Sequence, residues 1–258
     1  MATPALRQFL DSTGHTVHNL NTIVVGLSGV ETAEISKPNS LDISWAPRDL
    51  VTSSRQARQF LHRSTMVFVA SGVSSYIETV AKYPGFERPL EWNELSKSDR
   101  LTRLNQMLGY PEDFLLLGTL LLIHWRNRIV HPQSTASLSS RQRDVLKNAA
   151  EEISRDFKNL DMEVLLTDFK DDNVTLKELS SLVAMSIRVC KRLDESFPVP
   201  QTVDALQSWL VALNLDAGLA HARKTAQTDP KKFSAGETFL RTNCSFLVDP
   251  YRRLFAKP

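Results

Sequence analysis

Apolar residues in this chain recur at intervals of three and four residues, and no segment alternates between apolar and polar positions over the length of a β-strand. Such intervals place apolar side chains on one face of an α-helix. We therefore predict an all-α fold, with helices over residues 4–30, 48–83, 98–108 and 139–160 and a central helix in the stretch 114–132. Residues typical of helix N-termini mark three more helices, namely Thr175 with Glu178, Thr202, and Ser234 with Glu237.

The breaks between these helices divide the chain into three predicted regions. Residues 1–47 form an N-terminal helix and a linker, because the polar stretch 36–47 contains prolines. Residues 48–160 form a helical core with tight turns, and residues 161–258 form a C-terminal helical region of unknown role. Whether that last region is a second domain stays open, because residues 160–175 are charged enough for a linker and few enough for a loop.

The composition is that of an ordinary globular protein, with 42% hydrophobic and 23% charged residues. A formal net charge of only +2 creates no global basic field, so any contact with RNA must come from a local patch. The chain contains no glycine-rich phosphate loop, no HExxH and no GxSxG. These absences argue against an NTPase, a zinc protease and a serine hydrolase.

The two cysteines, Cys190 and Cys244, lie in apolar helical patterns without a CxxC arrangement, which favours buried free thiols over a disulfide or a zinc site. His15 and His18 share a helix face but have no third ligand, so we expect a solvated face there. We predict no metal and no cofactor. The N-terminal residues do not resemble a signal peptide, and no apolar run could span a membrane, so we expect a cytoplasmic protein without membrane association.

The most distinctive stretch is the predicted helix that begins at Phe114 and reads FLLLGTLLLIHWRNRIVHP through Pro132. Its first ten residues carry no charge, which is too few for the roughly 20 that cross a hydrocarbon core, so we expect a buried helix. Arg126 lies at the margin of the apolar stripe and should be half-buried. Pro132 disfavours helical backbone for the residue before it, so His131 should lie at or just beyond the last turn, where its imidazole can turn towards Arg126.

A guanidinium and an imidazole at the end of one buried helix suit the chemistry of a phosphodiester. Arginine neutralises phosphoryl oxygens, and histidine transfers protons near neutral pH without a metal ion. A purely structural interpretation also stands. In it, Arg126 caps the helix end or forms an ion pair there, and His131 complements the negative end of the helix dipole.

The stretch WRNRIVHP resembles the R-x4-6-H signature of the HEPN superfamily, the higher eukaryote and prokaryote nucleotide-binding domains, in which a polar residue such as Asn often follows the arginine. Arg126, Asn127 and His131 match these three positions. By the layout of the helices the resemblance extends over about residues 48–160. It implies a HEPN-like helical bundle, with additional N- and C-terminal helices in this chain, that usually works as a dimer. Many members of the family are metal-independent endoribonucleases of toxin, defence or RNA-processing systems, so the resemblance also implies this activity.

On this interpretation, RNA is cleaved by attack of a 2′-hydroxyl on the adjacent phosphate, which leaves a 2′,3′-cyclic phosphate. His131 is the general acid or base, Arg126 stabilises the charge of the phosphorane, and Asn127 orients a neighbouring group or the backbone. The reaction needs both an acid and a base, while each chain supplies one histidine in the motif. We therefore expect a homodimer with a composite site, and a toxin or defence effector implies an antitoxin or defence-system partner protein.

Basic residues around the motif extend this prediction to the RNA contact. His124 and Arg128 share a helix face with His131 and are predicted to bind RNA, although a solvated face without a role is an equal alternative. The rival prediction for the whole chain is a catalytically silent helical module that binds nucleotide, RNA or a partner protein.

Overall fold

The computed structural model of the chain describes residues 2–40, 42, 44–84, 86–197, 200, 202–228 and 239. These residues form helices joined by turns and contain no β-strand, so the all-α prediction is confirmed. In chain order the α-helices are α1 Pro4–Glu31, α2 Leu50–Val80, α3 Lys97–Met107, α4 Phe114–Val130, α5 Ser140–Asn148, α6 Ala150–Asp156, α7 Met162–Asp171, α8 Leu176–Asp194, α9 Val203–Ala212 and α10 Asp216–Thr228. A short 3-10 helix, Leu90–Asn93, precedes α3. No helix in the described part of the chain is both long enough and apolar enough to cross a membrane.

The helix starts follow from side chains that cap free backbone N–H groups. The Oγ atom of Ser139 accepts a hydrogen bond from the N–H of Gln142, whose side chain accepts one from the N–H of Ser139 in return. Asp113 caps α4 through the N–H of Leu116, at 3.0 Å. The predicted starts at Thr175 and Thr202 are confirmed, whereas Ser234 and Glu237 lie outside the described residues.

One predicted helix is wrong, and two helices, α7 and α10, were missed. The continuous helix predicted over 139–160 is two helices, α5 and α6, which separate at Ala149, where φ is −92° and ψ is 8°. No proline or glycine marks this break in the sequence. The stretch interpreted as a loop or linker contains α7, whose first N–H groups bind the carboxylate of Asp161. Its apolar residues at positions 162, 165 and 169 are spaced for a helix and are buried.

The described residues divide into two compact units, each assembled from separate stretches of the chain. One unit, called the motif unit below because it contains Arg126, draws on residues 11–72 and 112–187. The second unit draws on the described residues within 1–10, 73–111 and 188–258. Chain order alone does not reveal such a division, and the three predicted regions 1–47, 48–160 and 161–258 stay a prediction.

In the motif unit, α4 is the central helix of the core. Residues 116–123 and Trp125 are buried on every side of it, because this stretch is apolar around its whole circumference. Gly118 lies so close to α8 that a β-carbon there would overlap the Sδ atom of Met185. The burial of α4 therefore depends on a residue without a side chain at the contact with α8.

The second unit is held by aromatic side chains and one buried carboxylate. The ring of Tyr83 lies 4.2 Å from that of Trp209 and 5.6 Å from that of Phe197, measured between centroids. Asp194 is buried and accepts a hydrogen bond of 2.8 Å from the N–H of Thr3. Cys190 is a buried free thiol, as predicted, and Cys244 lies outside the described residues.

Candidate functional site

The end of α4 has the geometry that the proline predicted. The last helical residue is Val130, and His131 has left the helix with φ −126° and ψ 87°. Its N–H still donates to the carbonyl oxygen of Asn127, at 2.8 Å. Its carbonyl oxygen accepts from the N–H of Ser134, at 2.7 Å, which closes a turn just after Pro132. The backbone therefore holds His131 at a defined position, while its side chain is exposed.

Arg126 carries a half-buried positive charge at this helix end. Its Nη1 donates to the Oδ1 atom of Asn127, at 3.1 Å, and its Nε is buried without an acceptor. The ion pairs of the described residues do not include Arg126. A partly desolvated guanidinium without a carboxylate favours the binding of an anion, because an unpaired charge is costly away from water.

The three motif residues are brought together only in part. The hydrogen bond joins the side chains of Arg126 and Asn127 directly. Among the described residues, no hydrogen bond joins the imidazole of His131 to either of them. Five residues of helix separate Arg126 from His131 by about 7.5 Å along the axis. An RNA phosphate is of the size that could contact both, but the isolated chain does not by itself fix the imidazole relative to the guanidinium.

Arg128, predicted to contact RNA, makes extensive contacts within the chain. Its Nη1 and Nη2 donate to the carbonyl oxygens of Phe169 and Lys170, at 2.6 and 3.0 Å, and so cap the C-terminus of α7. Its guanidinium also lies 4.8 Å from the centroid of the Phe169 ring. His124 is half-buried on the same helix. The role of both residues in RNA binding stays a prediction.

Sequence reasoning missed a polar cluster beside the motif, centred on Asp172. Its Oδ1 accepts from Nε1 of Trp125, at 2.9 Å, and its carboxylate forms an ion pair with Arg63 of α2. Asp172 adopts a left-handed backbone conformation, with φ 57°, at the end of α7. The cluster ties α2 and the end of α7 to the residue next to Arg126. In the sequence, Asp172 is one aspartate in a charged stretch, and nothing there indicates which residues it contacts.

Two buried titratable groups lie near the start of α8. The Nδ1 atom of His62 lies 3.1 Å from the carbonyl oxygen of Val174, and burial lowers the pKa of this histidine. The pKa of Glu178 is raised to about 7, chiefly by burial and in smaller part by nearby Asp168, although hydrogen bonds from Thr175 act against the shift. Glu178 is therefore partly protonated at neutral pH.

The described residues contain no cluster of three His, Cys, Asp or Glu side chains that could hold a metal ion. His15 and His18 are both exposed on α1. They are the two histidines that the sequence places on one helix face without a third ligand.

Comparison with family models, curated proteins and solved structures yields no match for this chain. The HEPN resemblance therefore rests on the motif and on the helical layout.

Proposed function

We propose that this chain is a metal-independent endoribonuclease of the HEPN type, acting as a toxin or defence effector in the cytoplasm. The observation that carries the proposal is the half-buried guanidinium of Arg126. It is held by Asn127, has no carboxylate partner in the described part of the chain, and precedes an exposed histidine at the end of a buried helix. Such a site attracts a phosphate and offers it a proton donor or acceptor.

In the proposed reaction, a base removes the proton of the ribose 2′-hydroxyl, and the oxygen attacks the adjacent phosphorus. Arg126 neutralises the charge that develops on the phosphoryl oxygens. The bond from phosphorus to the 5′-oxygen breaks, and an acid protonates that oxygen, which leaves a 2′,3′-cyclic phosphate and a 5′-hydroxyl. His131 performs one of the two proton transfers, and we assign the other to His131 of a second copy of the chain.

The surface of the motif unit supports such a homodimer. Phe60 and Phe68 of α2 are 73% and 67% exposed and are eight residues apart, so they lie on one side of the helix. Between Asp11 and Glu31, α1 carries no Asp, Glu, Lys or Arg. Arg63, one turn after Phe60, pairs with Asp172, and Asp172 binds Trp125 beside Arg126. The apolar face of α2 is therefore linked through three side chains to the end of α4.

The second candidate function is a catalytically silent helical module that binds nucleotide, RNA or a partner protein. Two observations favour it. The Arg128 guanidinium is already bound to the carbonyl oxygens of α7, and the imidazole of His131 has no hydrogen bond to Arg126 or Asn127 in the described part of the chain. In this case the motif serves to hold the helix end in place.

Incubation of the purified protein with RNA, with and without EDTA, tests the choice. Under the nuclease proposal, cleavage persists in EDTA, the products end in a 2′,3′-cyclic phosphate, and His131→Ala lowers the rate about 100-fold or more. His18→Ala is the matched control, because His18 is also an exposed histidine but lies on α1. Cleavage that is equally fast in both variants and the parent, or that disappears in EDTA, contradicts the proposal.

A parent protein that does not cleave RNA at all favours the silent module. A lower thermal stability of Arg126→Ala than of the parent would then indicate a structural role, because loss of a half-buried arginine removes both packing and the hydrogen bond to Asn127. We expect this variant to lose about 1–2 kcal/mol of unfolding free energy if the arginine serves only the fold.

A further inference from the structure

A cavity of about 260 Å³ lies in the motif unit, between the end of α1, the start of α2 and the chain that connects them. The motif residues at the end of α4 and the two exposed phenylalanines of α2 do not line it. Of the described residues that do, none is Asp or Glu. Most of its wall is apolar and consists of Leu27, Val30, Ile35, Pro38, Trp45 and Ala57.

The backbone at the end of α1 builds one wall of this cavity. The N–H of Glu34 donates to the carbonyl oxygen of Gly29, at 2.9 Å, and that of Ala33 donates to the carbonyl oxygen of Val30, at 3.1 Å. These two bonds form a Schellman motif, in which Ala33 is left-handed with φ 61° and the chain turns back. Ile35 then packs against Gly29, where a β-carbon would lie only 2.5 Å from its Cδ1 atom. The wall is therefore held by hydrogen bonds and by close packing.

The polar residues of the cavity favour an anionic ligand. They are one lysine and three serines, namely Lys37, Ser36, Ser53 and Ser54. Lys37 is exposed and takes part in no ion pair among the described residues. Ser54 is 1% exposed, and its hydroxyl oxygen is buried without a hydrogen-bond partner in the described part of the chain. A positive charge and an unused hydroxyl donor both suit a carboxylate, which can only accept hydrogen bonds.

The apolar wall determines the size and character of the rest of the ligand. A cavity of about 150 Å³ lined by apolar side chains binds benzene, so 260 Å³ suffices for roughly eight to ten carbon atoms. Aliphatic side chains such as Leu27, Val30 and Ile35 make up much of this wall. An aliphatic chain that enters the cavity loses its contact with water, which drives binding without a specific polar contact.

We propose that this cavity binds a medium-chain fatty acid, with the aliphatic chain between α1 and α2 and the carboxylate at Lys37 and the serine hydroxyls. The ligand class is independent of the nuclease proposal. Its binding requires neither RNA cleavage nor a second copy of the chain, because every residue invoked here belongs to one motif unit.

Tryptophan fluorescence of the full chain during titration with octanoate tests the site. Trp45 is 38% exposed and lines the cavity, whereas the other three tryptophans, Trp92, Trp125 and Trp209, are buried. We expect saturable binding that shifts the emission to shorter wavelength and protects it from acrylamide quenching. Trp45→Phe should abolish the shift while calorimetry still detects binding.

Two partial ligands separate the contributions of the chain and the carboxylate. Acetate lacks the aliphatic chain and should bind about 100-fold or more weakly than octanoate, since each buried CH₂ contributes severalfold in affinity. Octan-1-ol lacks the negative charge and should bind about fivefold or more weakly. Lys37→Gln should weaken octanoate binding about three- to fivefold, because it removes an exposed charge. Lys82→Gln, at an exposed lysine of the second unit, should leave the affinity unchanged.

Ala57→Leu should fill the cavity and reduce octanoate binding about tenfold or more. Its matched control is Gln56→Leu, which adds the same side chain to α2 at an exposed position that does not line the cavity. Lys37→Gln keeps the test decisive if Ala57→Leu fails to fold, because Lys37 lies at an exposed position outside the helices.

The proposal is overturned if octanoate does not bind, if octan-1-ol binds as tightly, or if Gln56→Leu weakens binding as much as Ala57→Leu does. It is also overturned if the emission of Trp45 shifts with protein concentration and not with octanoate, since a second copy of the chain would then cover the cavity. None of these readouts involves RNA, so failure here and failure of the nuclease proposal are separate results.

Discussion

Replacing Glu178 by glutamine should remove a pH dependence from the stability of the protein. Glu178 is the third residue of α8, and its side chain is 3% exposed. Its Oε2 accepts hydrogen bonds of 2.8 Å from both the N–H and the hydroxyl of Thr175, in a capping box. Glutamine can keep these bonds, as Gln142 does in the equivalent capping box of α5, but it cannot ionise.

The size of the effect follows from the pKa of this carboxyl. The folded protein raises it from 4.5 to about 7, chiefly by burial. A carboxyl with a raised pKa contributes stability that is fully present below the unfolded pKa and is lost as the pH rises through the folded pKa. Between pH 5 and pH 8 the parent should therefore lose about 2–3 kcal/mol of unfolding free energy through this group, at 1.36 kcal/mol per pKa unit.

Urea unfolding of parent and variant at pH 5, 6, 7 and 8 measures this loss. We expect Glu178→Gln to match the parent within about 1 kcal/mol at pH 5 and to exceed it by about 2–3 kcal/mol at pH 8. The difference between the two proteins reports on Glu178 together with Asp168, whose carboxyl interacts with it, and removes the contribution of the more distant titrating groups. One of these is His62, whose lowered pKa costs stability as the pH falls and so acts in the opposite direction.

Glu163→Gln is the matched control. Glu163 lies in the first turn of α7, is exposed, and forms a surface ion pair of 2.8 Å with Lys147. Such a pair contributes about 0–1 kcal/mol, so the control should run parallel to the parent. A Glu178→Gln variant with the same pH slope as the parent would refute the reasoning. A variant that is destabilised by the same amount at every pH would also refute it, because the ionised carboxylate of Glu178 would then be the form that stabilises the fold.

Two further predictions concern the packing of α4 and the exposed face of α2. Gly118→Ala should cost about 1–3 kcal/mol of unfolding free energy, because its β-carbon would overlap buried Met185. Gly14→Ala in α1 is the control, since the added β-carbon meets open space there and the variant should be neutral or stabilising. Equal melting temperatures of the two variants would contradict the close contact between Gly118 and Met185. The double variant Phe60→Asp/Phe68→Asp should convert a homodimer of twice 29.1 kDa into a monomer, as measured by light scattering. Leu90→Asp is the control and should leave the dimer intact, because Leu90 is an exposed residue of the second unit. A parent protein that is monomeric at micromolar concentration would exclude the homodimer.

The helices and their ends could be predicted from the sequence because they depend on residues that are close together in the chain. The interval of apolar residues predicted the helical fold, and the pairs at Ser139 and Thr175 predicted two helix starts through hydrogen bonds that span only three residues. Pro132 predicted that His131 leaves the helix, because its ring acts on the residue directly before it. The break at Ala149 was missed, since no residue there forbids a helix.

What the tertiary structure decided were the partners of polar side chains. The sequence placed Arg126, Asn127 and Arg128 at one helix end, but it could not distinguish a guanidinium without a carboxylate partner from one bound to the carbonyl oxygens of α7. The meeting of Trp125, Arg63 and Asp172 joins residues up to 109 positions apart in the chain. Likewise, the raised pKa of Glu178 results from burial beneath other helices. Charge and hydrogen-bonding capacity belong to the residue itself, but whether water, a carbonyl or an open cavity satisfies them depends on which distant segments fold against it.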